Sequence, residues 1–234
     1  AQLEAVMLLS MLRAVYDVRR EAPPACLTEG LNRAVPALLG LAHGDGGLGN
    51  WQGSGAIDPD LVSAIVAASQ VRARPLRQAR DWGYQRIAAG STVLQIDAAP
   101  PPVARLAEAG CASTGAIEIS DGPLRLVVNC GGAALEGAWI PRDLAQGLRT
   151  TAAHSTLILN DNNSTALLPD GTLGKGVTEV ELNRQELDNG SRLDLSHDGY
   201  VRRLGYVHRR LLMMSGDGKE IRGEDMLTPA ERRR

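Results

Sequence analysis

Arg149 and His154 lie close together in Arg149-Thr-Thr-Ala-Ala-His154-Ser-Thr-Leu-Ile-Leu-Asn160. The guanidinium is a permanent cation whose planar fork can grip a carboxylate or sulfate through two parallel bonds. The imidazole can take or give a proton near neutral pH. Two further imidazoles follow. His197 stands in Ser196-His197-Asp198-Gly199-Tyr200, where Tyr200 adds a phenol, and His208 stands in Val207-His208-Arg209-Arg210. His43 and Asp45 open the glycine-rich run His43-Gly-Asp45-Gly-Gly-Leu-Gly-Asn-Trp-Gln-Gly53, which must be a shaped loop. No Gly-Lys-Ser/Thr follows it, so it is not a phosphate loop. Each residue also has a plain structural reading. His154 can be a satisfied strand-edge histidine, Arg149 half of a strand-end ion pair, and the glycine run a tight connector. His197 and Tyr200 can flank a turn set by Gly199, and His208, among Val207, Leu211 and Leu212, reads as structural.

The elements that must position these groups change character along the chain. Apolar residues recur at helical spacing over 1–20, with Leu3, Val6, Met7, Met11, Ala14, Val15 and Val18 on one stripe. A second helix is expected from Thr28 to Leu41, kinked or starting late at Pro36. Asp58-Pro59-Asp60 caps a third, from about Leu61 to Ser69. Near residue 80 the apolar period shortens to two. Strands are expected on either side of Ala89-Gly90-Ser91, Asp121-Gly122, Asp188-Asn189-Gly190 and Asp217-Gly218, all turn signals. Between them lies a long irregular loop to about Leu148. A strand is expected to start at His154 and end at Asn160–Asn163, and another to run from Tyr200 to Met214. Helices first and antiparallel strands after them predict an α+β chain of two domains, 1–80 and 81–234, joined near 70–83.

Composition narrows the class. Of 234 residues, 44% are hydrophobic and 22% charged, the balance of a globular protein. The net charge of −2 gives no reason to expect nucleic acid or an anionic membrane as a partner. The basic runs Arg72–Arg80 and Arg232–Arg234 are short and read as solvated faces. Three cysteines, Cys26, Cys111 and Cys130, match no disulfide framework or metal-knuckle spacing. No run is long enough to span a membrane. The chain begins inside a helical pattern without Met and reads as a piece of a longer protein, so targeting cannot be taken from it.

Six motifs in order now form a pattern: His43-Gly-Asp-Gly-Gly-Leu, Gly83-Tyr-Gln-Arg-Ile-Ala-Ala-Gly, Val127-Val-Asn129-Cys-Gly, Arg149 to Leu157, His197-Asp-Gly-Tyr200 and Val207-His-Arg-Arg210. Together the chain resembles the heparinase II/III-like family of polysaccharide lyases. The resemblance implies the last helices of an α/α toroid followed by much of an antiparallel β-sandwich. It also implies an acidic polysaccharide partner, heparin- or heparan-sulfate-like or alginate-like, and a periplasmic or secreted setting.

Such lyases cleave uronate polysaccharides by β-elimination. A group must neutralise the sugar carboxylate, a base must take the adjacent proton, and an acid must protonate the leaving oxygen. The resemblance puts His154, His197 and Tyr200 forward for catalysis, with Arg149, His43 and Asp45 binding substrate. Further catalytic groups would come from toroid helices upstream of residue 1. The family's His-x-His-x-Asp run falls on Ala109, Cys111 and Ser113, so the first, catalytic histidine is replaced by Ala109. The metal site of some members falls on Cys111, Asn129 and His154, making zinc a candidate cofactor, although a neutral Asn is a poor ligand. Two functions follow: a lyase completed by the absent helices, or a glycan-binding relative that has lost the chemistry.

Overall fold

The computed structural model describes residues 2–79, 81–102, 109–132 and 140–230. Helices α1 (Gln2–Arg19), α2 (Ala25–Gly40) and α3 (Pro59–Ala68) come first. Val6, Val35, Leu38, Leu48, Val62 and Ile65 form their shared core. Asp58 caps α3 by accepting from the Asp60 amide, as expected. Helix α2 starts at Ala25, directly after Pro24, and runs through Pro36. The Pro36 carbonyl accepts from the Leu76 amide, tying the linker to the helix. Of the stripe expected to face inward on α1, Val6 is buried, whereas Met11, Val15 and Val18 are exposed. One edge of α1 suffices to meet α2 and α3, and the rest of its apolar surface faces out.

Two four-stranded antiparallel sheets follow. Strands β1 (Tyr84–Ala89), β2 (Thr92–Asp97), β3 (Ile117–Asp121) and β4 (Leu124–Val127) make the first, in that order. Strands β5 (Val180–Leu187), β6 (Gly190–His197), β7 (Tyr206–Ser215) and β8 (Ile221–Pro229) make the second. Ile87, Leu94, Ile96, Leu193, Leu195, Leu212 and Met214 fill the space between them. This is the expected α+β arrangement of helices followed by a β-sandwich.

The first sheet is covered on both faces. Along β2 and β3, Leu94, Ile96, Ile117 and Ile119 face the second sheet. Gln95, Asp97, Glu118 and Ser120 face the glycine-rich loop, and all four are buried. Alternation therefore separates an apolar interface from a polar one rather than core from solvent.

Three local expectations are corrected. No strand begins at His154. Thr151–Ala153 is a 3-10 turn, and the chain then bends to a lone bridge between Leu159 and Asn162. Asn160 and Asp161 do take left-handed backbone, with φ of 49° and 54°. Tyr200 precedes a one-turn helix, α5 (Val201–Leu204), and the strand starts only at Tyr206, after left-handed Gly205. The loop before Leu148 contains a short helix, α4 (Arg142–Gly147). Arg80, the 133–139 part of that loop and the Arg232–Arg234 run lie outside the described residues.

Candidate functional site

The glycine-rich loop is pinned to the first sheet by buried polar contacts. His43 Nε2 lies 3.0 Å from Glu118 Oε2, and its Nδ1 lies 2.8 Å from Ser120 Oγ. Glu118 also accepts from the amides of Asn50 and Asn129, at 3.0 and 3.1 Å. Asp45 receives both arms of the Arg125 fork at 2.8 Å, and this guanidinium holds its carboxyl below the usual range. His43 and Asp45 thus bind the protein itself, and both lie within the joint between loop and sheet.

Gln52, with φ of 44°, carries the joint further. Its Nε2 donates to Asp97 and Ser113, each at 2.8 Å, and its Oε1 accepts from the Cys111 amide. Burial pushes the Asp97 carboxyl up to about 6, against the pull of Ser113 and Gln52. Beside Gln52 a cleft of about 310 Å³ opens between helices and sandwich, lined by Trp51, Gly53, Trp82 and Tyr84 among others. The next neighbour is the Asn129–Gly131 strip. Gly53 donates to the Gly131 carbonyl on one side of it, and Cys130 donates to the Ala153 carbonyl on the other. A Cβ on Gly53, which has φ of +87°, would come within 2.4 Å of the Ala109 Cβ. Segments carrying Ala109, Cys111, Asn129 and His154 are therefore brought together.

Within this region His154 stands out. Its Nδ1 lies 2.8 Å from the Thr150 carbonyl, which can only accept, so Nδ1 carries the proton. Nε2 is then a bare lone pair, buried and without a partner among the described residues. Burial lowers the imidazole pKa, keeping the ring neutral at pH 7. Such an atom can accept a proton or a hydroxyl hydrogen.

Arg149 is buried, with its fork largely used. Nε donates to the Gly110 carbonyl at 2.8 Å and Nη1 to the Gly171 carbonyl at 2.6 Å, leaving Nη2 without a partner among the described residues. It staples two loops and keeps one donor free.

The zinc set does not fit. Asn129 Oδ1 accepts from the Ser155 amide at 2.7 Å, while Nδ2 donates towards Ile117 and Glu118. The amide oxygen is uncharged and already holds the Ser155 amide, and among the described residues no three His, Cys, Asp or Glu side chains group to hold a metal. Burial pushes the Cys111 thiol up to about 11, and its Sγ donates to the Gly131 carbonyl. A neutral amide already engaged with a backbone N–H makes a poor ligand.

His197 and Tyr200 lie in the interior behind the His154 segment. The Tyr200 hydroxyl donates to the Leu157 carbonyl at 2.6 Å, and burial pushes the phenol up to about 12. His197 accepts from the Gly199 amide at Nδ1 and meets His208 through Nε2. Tyr200 therefore supports the segment that carries His154 from the rear, and His197 is held between Gly199 and His208. Sequence reasoning missed Glu118, Gln52 and Asp97. Asp97 and Glu118 stand at alternate strand positions and resemble solvent-facing residues, Gln52 is one polar residue in a loop, and only the packing of loop on sheet gives them a role.

The match to known proteins now decides the lineage. Residues 71–234 match the model described as heparinase II/III-like, C-terminal. The chain belongs to the heparinase II/III-like family. Over 245 aligned residues it is 30% identical to FtsZ-localized protein C of Caulobacter vibrioides (strain NA1000 / CB15N), spanning 98% of this chain and 40% of that relative. The crystal structure of the heparan sulfate lyase HepC from Pedobacter heparinus superposes with a TM-score of 0.69 at 15% identity, over 97% of this chain and 37% of that one. The BT4657 gene product, a heparinase III, gives 0.67 at 15% identity, over 97% and 37%. At that identity the likeness shows the fold alone. The chain spans about two fifths of the length of these proteins. No helix among its described residues is long and apolar enough to cross a membrane.

Proposed function

We propose that the protein carrying this heparinase II/III-like chain binds an acidic, uronate-containing polysaccharide between helices and sandwich, without cleaving it through this chain's own groups. One observation carries this reading: the imidazole of His197 and the phenol of Tyr200 are both consumed by interior partners. Ala109, at the position of the family's catalytic histidine, has no group that moves a proton. What remains suits binding. The cleft presents Trp51, Trp82 and Tyr84, whose apolar ring faces suit the flat faces of sugars. Arg149 is buried and lies outside the lining of this cleft, so a cation for the sugar carboxylate or sulfate would come from outside this chain. Titrating the full-length protein with heparan sulfate and alginate oligosaccharides tests this: saturable binding is expected, and no binding to either polymer rejects it.

The second reading, a working lyase, is favoured by the bare Nε2 of neutral His154, which has the form of a general base. It needs an acid and a carboxylate-neutralising group from outside this chain. The name of the Caulobacter relative, an FtsZ-localized protein, adds a setting that the family resemblance alone did not suggest, at FtsZ rather than as a secreted enzyme. Imaging a fluorescent fusion of the full-length protein together with labelled FtsZ separates these settings: overlap with FtsZ supports the first, and an even envelope or medium signal the second.

A further inference from the structure

A second concavity, of about 570 Å³, shares no lining residue with the cleft. Two segments far apart in sequence build it. Lys175 sits on a small hairpin whose ends are joined by Ala166 N to Lys175 O at 3.0 Å and Gly174 N to Ala166 O at 2.7 Å. Arg202 and Arg203 sit on α5, which follows the anchored Tyr200. Glycines let the segments approach: a Cβ on Gly176 would come within 2.2 Å of Thr165 Cα, and one on Gly199 within 2.6 Å of the Ser164 carbonyl oxygen.

Three cations thus converge on one hollow, and no acidic side chain lines it. Among the described residues none of the three has an ion pair. Arg203 makes one long contact, 3.4 Å to Asn162 Oδ1. Asp198, the acid next to the hollow in sequence, is already occupied by the Thr178 amide, the Thr178 hydroxyl and the Glu179 amide. Like charges gathered on fixed backbone without internal neutralisation repel one another, and a concave wall concentrates their field on whatever enters.

We propose that this hollow binds an oxyanion, the sulfate or carboxylate of an acidic saccharide or a phosphate, through Lys175, Arg202 and Arg203. The oxyanion itself does not depend on the reading of the cleft; its being part of a polysaccharide does. The site would give a bound polymer a second point of attachment, on residues other than those that line the cleft.

The test is calorimetric titration of the full-length protein at low salt with a heparin-derived hexasaccharide, sodium sulfate and sodium phosphate, with neutral dextran as control. The variants are Lys175→Ala/Arg202→Ala/Arg203→Ala and the charge-conserving Arg202→Lys/Arg203→Lys. All three side chains are exposed, so folding should survive, and circular dichroism checks it. The neutralised variant should bind the hexasaccharide at least about tenfold more weakly, the lysine variant should keep most of its affinity, and added salt should erase the difference. Capture of sulfate or phosphate by these cations, but not of the hexasaccharide, supports the hollow and counts against the polysaccharide reading. A neutralised variant that binds the hexasaccharide as tightly as wild type overturns the hollow and leaves the cleft reading standing. Wild type that takes up none of the three anions overturns both.

Discussion

His197 Nε2 lies 2.9 Å from His208 Nδ1, and the contact orders a chain of four groups across the second sheet. The Gly199 amide donates to His197 Nδ1, so the His197 proton is on Nε2 and points at His208. His208 keeps its own proton on Nε2, 2.7 Å from Asp225 Oδ1. Burial alone would raise the Asp225 carboxyl; bonds from His208 and the Arg210 fork outweigh it and hold the group below the usual range. Protonating His197 would add a charge where burial and His208 oppose it, which lowers its pKa to about 3.

That shift predicts acid sensitivity. The unfolded chain takes up the His197 proton near pH 6.5, whereas the folded one resists to about 3. The contribution is therefore fully present above pH 6.5 and is lost as pH falls towards 3. Between pH 7.5 and 5 it should amount to about 2 kcal/mol. Urea unfolding at the two pH values checks it, and His197→Gln should show a loss smaller by about that amount.

Glu118 predicts the strongest mutational effect. Its carboxylate, buried, serves two amides and His43 at once. Glu118→Ala strands these donors and should cost about 3–5 kcal/mol, detaching the glycine-rich loop. Denaturant melts give the loss, and hydrogen exchange at Asn50 and Asn129 should accelerate before global unfolding.

Asp97 runs in the opposite sense to His197. Its folded pKa of about 6 is above the unfolded value, so stability is fully present below about pH 4 and is lost as pH rises through 6. The loss should reach about 3 kcal/mol. Asp97→Asn should remove this slope, since an amide cannot ionise, and the wild-type and variant unfolding curves compared from pH 4 to 7 read it directly.

Gly53→Ala should cost about 3 kcal/mol, because φ of +87° and a 2.4 Å approach to the Ala109 Cβ act together. The same position read by thermal melting should tolerate Ala poorly even though the loop is at the edge of an open cleft.

Much of the architecture was legible because turns announce themselves. Gly90, Gly122 and Gly218 all take left-handed backbone at the expected hairpins. Residues 84–97 read correctly as two strands about Gly90. The His154 segment was not legible. Thr156 to Leu159 alternate like a strand, yet they are held by side chains and single bridges, Thr156 Oγ1 to the Thr114 carbonyl and Tyr200 to Leu157. Period-two alternation cannot tell such a segment from a ladder. The site residues divide for a similar reason. Sequence shows which groups can titrate, and partners decide which do. His43, His197 and Tyr200 are satisfied within the protein, and His154 keeps a lone pair free.

On the proposed function, this chain supports binding of a uronate polysaccharide without elimination. The most direct measurement follows the ultraviolet absorbance of unsaturated uronate while the full-length protein is saturated with heparan sulfate or alginate. Saturation with no rise in absorbance is the predicted result. A steady rise that disappears in His154→Ala, with the variant still folded, would contradict it.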